Sequence, residues 1–280
     1  MTNVKRTDFS IQRMSSADIA PALCLCRECG WNQLREDWQR LLDYDPTGCF
    51  VAICDGKLAG TVTTTRYGRD LGWIGMMLVD PTFRRRRIAT ALIQHSVRYL
   101  KSRSVRCIQL DATPHGELVY RKLGFECDWK FHRWSREESA AGIQTNPPNT
   151  STHLPDAAVA LDQSEFGADR RDFLNLLVQA SYIHVMRDGY GMLRPGFLAS
   201  YLGPVCATTP TIAESIITVL CRRADQTMFW DIPTPNRNAI RIARSLGFAP
   251  IRDLMRMSLV GTRSDPDLRL QYALADPAAG

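Results

Sequence analysis

Apolar and polar residues alternate one by one over Phe9-Ser10-Ile11-Gln12. They then recur every third or fourth position through Ile19, Leu23 and Cys26. The first period predicts a strand and the second an amphipathic helix. Ser15 or Ser16 is placed to cap that helix and Gly30 to stop it. A second helix is expected through Trp38, Leu41 and Leu42. Cys49 to Cys54 and Leu58 to Tyr67 flank Asp55-Gly56, a two-residue hairpin turn because both positions need positive φ. Trp73 to Val79 reads as the next strand. Ile88 to Lys101 reads as a helix with Ala89, Ile93, Val97 and Leu100 along one stripe. Val105 to Leu110 is a strand, Gly116 to Leu123 a short helix with Gly124 as its left-handed stop, and Phe125 to Trp134 the last strands.

Residues 138–155 are polar, proline-rich and aperiodic, which predicts a linker. Beyond it the pattern resumes. Ala157 to Leu161 is expected as a strand and Arg170 to Ala180 as a helix. Tyr182 to Arg187 and Tyr190 to Arg194 form a hairpin about Asp188-Gly189. Tyr201 to Ala207 is a strand, Thr211 to Arg223 a helix, Met228 to Ile232 a strand, Asn236 to Leu246 a helix, and Ile251 to Leu259 a final strand. This order roughly repeats the first half. Leu110-Asp111-Ala112-Thr113-Pro114 is echoed by Trp230-Asp231-Ile232-Pro233-Thr234-Pro235, and Arg121-Lys122-Leu123-Gly124-Phe125 by Arg244-Ser245-Leu246-Gly247-Phe248. Two strand–helix–Leu-Gly-Phe units in matching places predict a duplicated α/β fold with mixed layers. The expected division is a first domain at 1–137, a linker at 138–155, a second domain at 156–262 and a tail at 263–280.

Composition narrows the class. A chain of 280 residues with 45% hydrophobic residues has room for one large domain or two of ordinary size, with a sizeable core. No apolar run is long enough to span a bilayer and no signal core follows Met1, so neither membrane nor export is expected. The nine cysteines then read as reduced thiols in a cytoplasm. Cys24, Cys26 and Cys29 lack a second ligand pair, so no metal is expected. His115 reads as a solvated loop histidine. The net charge of +6 is spread along the chain rather than gathered on one face, which argues against a nucleic-acid partner.

One charge cluster is different. Arg84-Arg85-Arg86-Arg87 lies between a strand and the start of a helix, where cations oppose the helix dipole and call for an anion. Arg84-Arg85-Arg86-Arg87-Ile88-Ala89 resembles the Arg/Gln-x-x-Gly-x-Gly/Ala loop of the GNAT acetyltransferase superfamily, with Arg87 in place of the middle glycine. Thr113, Gly116, Tyr120, Gly124 and Phe125 resemble its second motif, Asn-x-x-Ala-x-x-x-Tyr-x-x-x-Gly-Phe, with the first two elements replaced. The whole chain is similar to bacterial GNAT proteins carrying a second, GNAT-like domain.

That resemblance implies a mixed sheet flanked by helices in each half, and acetyl-CoA as co-substrate. Arg84 to Arg87, Ile88, Ala89 and Thr90 would hold its diphosphate. Leu78 and Val79 would offer backbone groups near the thioester, and Tyr120 would protonate the leaving thiolate. Asp111 or a water chain would take the proton of the attacking amine. Trp31, Asn32, Asp37 and Asp231 would face the acceptor, since an aromatic with carboxylates suits an ammonium group. The second half lacks the arginine loop and has Ala243 at the tyrosine position, so it would wall the acceptor site. The implied activity is N-acetylation of a small-molecule primary amine by a monomer or homodimer. The alternative is a non-catalytic acyl-CoA sensor.

Overall fold

The computed structural model describes residues 9–137, 153–224, 226–259 and 266–280. The first half runs β1 (Phe9–Arg13), α1 (Ile19–Glu28), α2 (Arg35–Tyr44), β2 (Cys49–Cys54), β3 (Lys57–Tyr67), β4 (Leu71–Val79), α3 (Ile88–Ser102), β5 (Cys107–Ala112), α4 (Pro114–Lys122) and β6 (Phe125–Arg136). The second half runs α5 (Asp156–Phe166), α6 (Arg171–Gln179), β7 (Tyr182–Met186), β8 (Gly189–Arg194), β9 (Ser200–Ala207), α7 (Pro210–Cys221), β10 (Met228–Pro233), α8 (Arg237–Ser245), β11 (Ala249–Leu259) and β12 (Gln271–Ala273). From α5 to β11 the order repeats that from α1 to β6. Most of the expected linker, and residues 263–265 of the expected tail, lie outside the described residues.

One expected element changes type. Residues 157–161 belong to α5 rather than a strand. Four of the five are alanine or leucine, the strongest helix formers. Ala158, Val159, Asp162, Glu165 and Phe166 are buried at helical spacing, and a five-residue window was too short to reveal that period.

All the strands form one sheet in the order β1-β2-β3-β4-β5-β11-β6-β10-β9-β8-β7, with β12 paired to β9. The last strand of each half has therefore crossed over. β11 lies against β5, where β6 would close the first half, and β6 lies against β10, where β11 would close the second. β6 and β11 pair antiparallel with each other at the centre.

The crossover is fastened by two ion pairs in equivalent places. Asp111 on β5 stands opposite Arg256 on β11, and Asp231 on β10 opposite Arg133 on β6. Arg256 donates from Nε and Nη2 to the two Asp111 oxygens at 2.8 and 3.1 Å. Arg133 does the same to Asp231 at 2.8 and 2.7 Å. Bidentate pairing fixes register as well as charge. The Arg256 guanidinium also lies 4.3 Å from the Trp73 ring and 4.7 Å from that of Trp129, so its planar faces are covered too.

The residues after Leu259 are not a loose extension. Tyr272, Ala273, Leu274, Ala275, Ala278 and Ala279 are all buried. Arg194 holds this segment through the Ala275 carbonyl at 2.6 Å and Asp276 at 2.8 Å. Trp73 Nε1 donates to the Pro277 carbonyl, Tyr67 to that of Ala279, and Arg170 to that of Gly280. Arg170 is itself fully buried and balances Asp162 with a bidentate pair, beside Glu165 and Cys206. Burial pushes the Glu165 carboxyl up to about 8, and the neighbouring Asp162 charge adds to the rise.

Candidate active site

β4 pairs with β5 only from Leu71 to Ile74, against Cys107 to Leu110. Beyond Ile74 the two strands part, although β4 continues to Val79 along β3. A bulge marks the parting. Register shifts between Thr61 and Thr63 opposite it, Met76 adopts φ +49°, and the Thr61 hydroxyl ties the kink by donating to the Met76 carbonyl at 2.7 Å. The freed edge of residues 75–79, which includes Leu78 and Val79, is a place for an extended ligand to add as a strand.

After β4, Asp80 caps a short turn by accepting from the Thr82 amide, and the four arginines lead into α3. All four are exposed. Arg87 is the N-cap residue of α3, with φ +64° and ψ +15°, and no side chain caps the helix. Its backbone thus takes the left-handed conformation that glycine adopts readily and other residues adopt at a cost of about 1 kcal/mol. The loop keeps the shape the glycine would give it, and the amides of Ile88, Ala89 and Thr90 lie at an uncapped, electropositive helix end. Arg87→Gly should therefore raise thermal stability by up to about 1 kcal/mol, read as a higher melting temperature, with CoA binding retained in calorimetry.

A cavity opens where β4 and β5 part. It is lined by Ile74, Gly75, Met76 and Met77 on one side, by Asp111, Thr113, Gly116 and Tyr120 on another, and by Trp31, Asn32 and Gln33. The second half adds Arg252 and Leu254, Arg133 contributes from β6, and Pro277 and Ala278 come from the tail segment. Tyr120 projects from α4, which Thr113 caps by accepting from the Gly116 amide and which Pro114 starts. A Cβ on Gly116 would lie 2.9 Å from Tyr120 Cε2. Glycine at that position gives the ring its room. The Tyr120 hydroxyl makes no hydrogen bond among the described residues, and burial alone pushes it up to about 12.

The expected site residues fall into two sets. Asp111, Tyr120, Trp31 and Asn32 line the cavity. Asn32 is already committed, since it accepts from the Leu198 and Ala199 amides and donates to the Ala199 carbonyl, joining the two halves. Asp37 lies outside the lining. It closes the start of α2 by accepting from the Leu34 amide and pairs with Arg40. Asp231 is wholly buried and also lies outside the lining, its oxygens taken by Arg133 and the Tyr201 hydroxyl. Asp111 shares its oxygens with Arg256, yet burial outweighs that cation and pushes its carboxyl up to about 6.

Sequence reasoning passed over Arg133, Arg252 and Arg256. A signal for two of them existed. Arg133 and Arg256 each follow a Gly-Phe pair, Gly124-Phe125 and Gly247-Phe248, at the same offset.

Among the described residues the second half has no comparable opening. α7 is closed by the Thr209 hydroxyl, which accepts from the Ile212 amide. β9 pairs with β10 at Ser200 to Leu202 and then takes β12 as its partner at Val205 and Cys206. The slot matching the parting of β4 and β5 is filled by the chain's own residues 271–273.

Residues 18–125 match the acetyltransferase (GNAT) family and residues 158–273 the acetyltransferase (GNAT) domain. The chain belongs to the GNAT acetyltransferase superfamily. It carries a second GNAT-like domain after the first. It is 23% identical over 246 residues to the uncharacterized N-acetyltransferase YitH of Bacillus subtilis, covering 84% of this chain and 86% of the relative. A Pyrococcus horikoshii protein crystallised as a candidate acetyltransferase has the same fold, with a TM-score of 0.85 at 21% identity over 100% of this chain and 99% of that one. A tandem GNAT protein of the clavulanic acid biosynthesis pathway aligns at 0.65 and 14% identity, over 92% and 99% of the two chains. This GNAT chain is an acetyltransferase, and the family's co-substrate is acetyl-CoA. Among the described residues no helix is long and apolar enough to cross a membrane.

Proposed function

We propose that this GNAT protein moves the acetyl group of acetyl-CoA to the primary amine of a small metabolite in the cytoplasm. Residues 1–137 form the catalytic unit, and residues 156–262 with the tail segment wall the acceptor. The observation that carries this reading is a single cavity, lined from both halves, in which the freed β4 edge, the Tyr120 hydroxyl and Asp111 meet.

The chemistry follows from their placement. The diphosphate sits on the uncapped start of α3 under the arginine run, where amide N–H groups and the helix dipole both favour an anion. The pantetheine arm pairs with the edge at Leu78 and Val79, and an amide there polarises the thioester carbonyl. The amine must be neutral to attack. Asp111, with a carboxyl near about 6, is ionised at pH 7 and takes the ammonium proton directly or through a water. Attack forms the C–N bond and places charge on the carbonyl oxygen. Collapse breaks the C–S bond, Tyr120 protonates the departing thiolate, and the proton that the nitrogen loses on becoming an amide returns to Tyr120 through solvent. A tyrosine held near about 12 keeps its proton at neutral pH and is available as the donor.

Thiol release from acetyl-CoA in the presence of a panel of small primary amines tests the reading. At least one amine should accelerate release and appear as its N-acetyl product. Acetylation confined to protein lysines or peptide N-termini would replace the small acceptor with a macromolecular one.

A further inference from the structure

We propose that the acceptor is an amine that also carries a carboxylate, and that Arg252 binds that carboxylate. The inference deepens the reading above and rests on it for the location of the amine.

Only three side chains lining the cavity are ionic: Asp111, Arg133 and Arg252. Their charges are unevenly matched. Asp111 is answered by Arg256 from behind the wall, and Arg133 by Asp231. Arg252 makes no hydrogen bond or ion pair among the described residues. It stands directly opposite Arg133 across the β11–β6 pair. Like charges facing each other across a sheet repel; Asp231 acts on both, while Asp276, which also acts on Arg133, is bound to Arg194. Arg133 already occupies that carboxylate through Nε and Nη2. The two arginines and one aspartate leave a net positive charge at the cavity wall. Burial and the neighbouring Arg133 charge push the Arg252 guanidinium below its ordinary range, and the Asp231 charge, already bound to Arg133, only partly opposes them.

The backbone is shaped to bring Arg252 there. Register shifts between Pro250 and Arg252, so β11 carries one extra residue, Ile251, which is left exposed. A bulge of this kind turns the following side chains to the other face. Past it, Arg252, Leu254 and Arg256 share the face that meets Arg133, Phe131 and Trp129. In an unbulged register Ile251 would stand opposite Arg133, and Arg252 would point away from the cavity.

An acceptor bearing a second ammonium group would meet Arg252 and an already neutralised Asp111, and would be repelled. A carboxylate would instead meet a guanidinium fork, whose geometry matches it. The Nη1 group of Arg133, which has no partner among the described residues, adds a further donor beside it. A small amino carboxylate places its amine toward Asp111 and the thioester while its carboxylate rests on Arg252.

The test compares α- and ω-amino acids with their own carboxamides and with diamines of the same length, in acetyl-CoA turnover and in binding to the CoA-loaded protein by calorimetry. The carboxylate form should be preferred at least ~10-fold over the amide, since a hydrogen bond to a charged group contributes about that factor or more. Arg252→Met should bring that ratio close to one, and Arg252→Lys should restore part of it. Equal use of acid and amide by the wild type, a preference for diamines, or a ratio unmoved in Arg252→Met would overturn the assignment. So would a rise in KM for acetyl-CoA rather than for the acceptor, which would place a cofactor phosphate on Arg252. Binding of amino acids that Arg252→Met abolishes, with no turnover of any amine, would uphold the carboxylate site and reject acetyl transfer to a small amine.

Discussion

Arg256→Ala is expected to lower stability by about 3–5 kcal/mol, because it leaves the Asp111 carboxylate buried with no cation. Arg256 and Asp111 are 2% and 1% exposed at their side chains, so water cannot replace the lost partner. The damage should reach beyond one contact. This pair fastens the first half to a strand supplied by the second, so its loss weakens the crossover itself. Chemical denaturation with two probes, one for each half, is the measurement. A loss below about 1 kcal/mol would mean that strand pairing and the aromatic stack hold the crossover without the ion pair.

Two controls separate charge from packing. Replacing both partners, Asp111→Leu with Arg256→Met, should recover much of the stability, because no lone charge remains. The penalty of Arg256→Ala should also shrink as pH falls from above neutrality toward about 6, because burial raises the Asp111 carboxyl, Arg256 holds it down to about 6 in the pair, and removing Arg256 lets that carboxyl take up its proton at higher pH. The sign follows from linkage. A folded-state carboxyl raised above its ordinary value contributes stability that is fully present below that ordinary value and is lost as pH rises through about 6. Once Asp111 carries a proton, the missing cation costs little. The penalty must therefore grow, not fall, toward neutral pH.

Tyr120→Phe should cut kcat about 10- to 100-fold with little change in KM for acetyl-CoA. Positioned acid catalysis is worth about 10²–10⁴, and the low end applies because a thiolate, with a thiol pKa near about 8.5, leaves fairly well unaided. The hydroxyl carries no structural hydrogen bond among the described residues, so the variant should fold as the wild type does. Rates measured from pH 6 to 10 should show no loss from ionisation of Tyr120, since the group is held near about 12. Unchanged kcat across that range would remove Tyr120 from the chemistry.

Much of the architecture was legible in the chain. The Asp55-Gly56 hairpin, the amphipathic helix from Ile88, and the Gly124 and Gly247 helix stops depend on neighbours within a few residues, and local rules suffice for those. Residues 157–161 were misread because five apolar residues do not distinguish a buried strand from one face of a helix. The candidate site was legible where a motif is contiguous. Arg84 to Arg87 and Tyr120 lie within short runs whose geometry is set by a strand end or a helix start. Asp37 and Asp231 were harder. A carboxylate's role depends on which cation faces it, and Arg133 is 98 residues from Asp231 in sequence.

The sequence by itself determined most of the elements, the duplication and the place of the arginine run at a strand-to-helix junction in the first half, because periodicity, turn chemistry and helix-end electrostatics act over single turns. Only the tertiary structure decided that β6 and β11 change places. An antiparallel edge can hydrogen-bond to either strand, and the observed pairing is distinguished by cross-strand contacts such as Asp111 with Arg256. That exchange carries Arg252 into the cavity and brings Arg133 opposite it. The tail closes the second half's slot for the same reason, since β9 accepts whatever strand the folded chain presents at its open edge. The arginine run lies at the start of α3, legible in a contiguous motif, whereas only the exchanged strands bring Arg133 and Arg252 to the cavity wall.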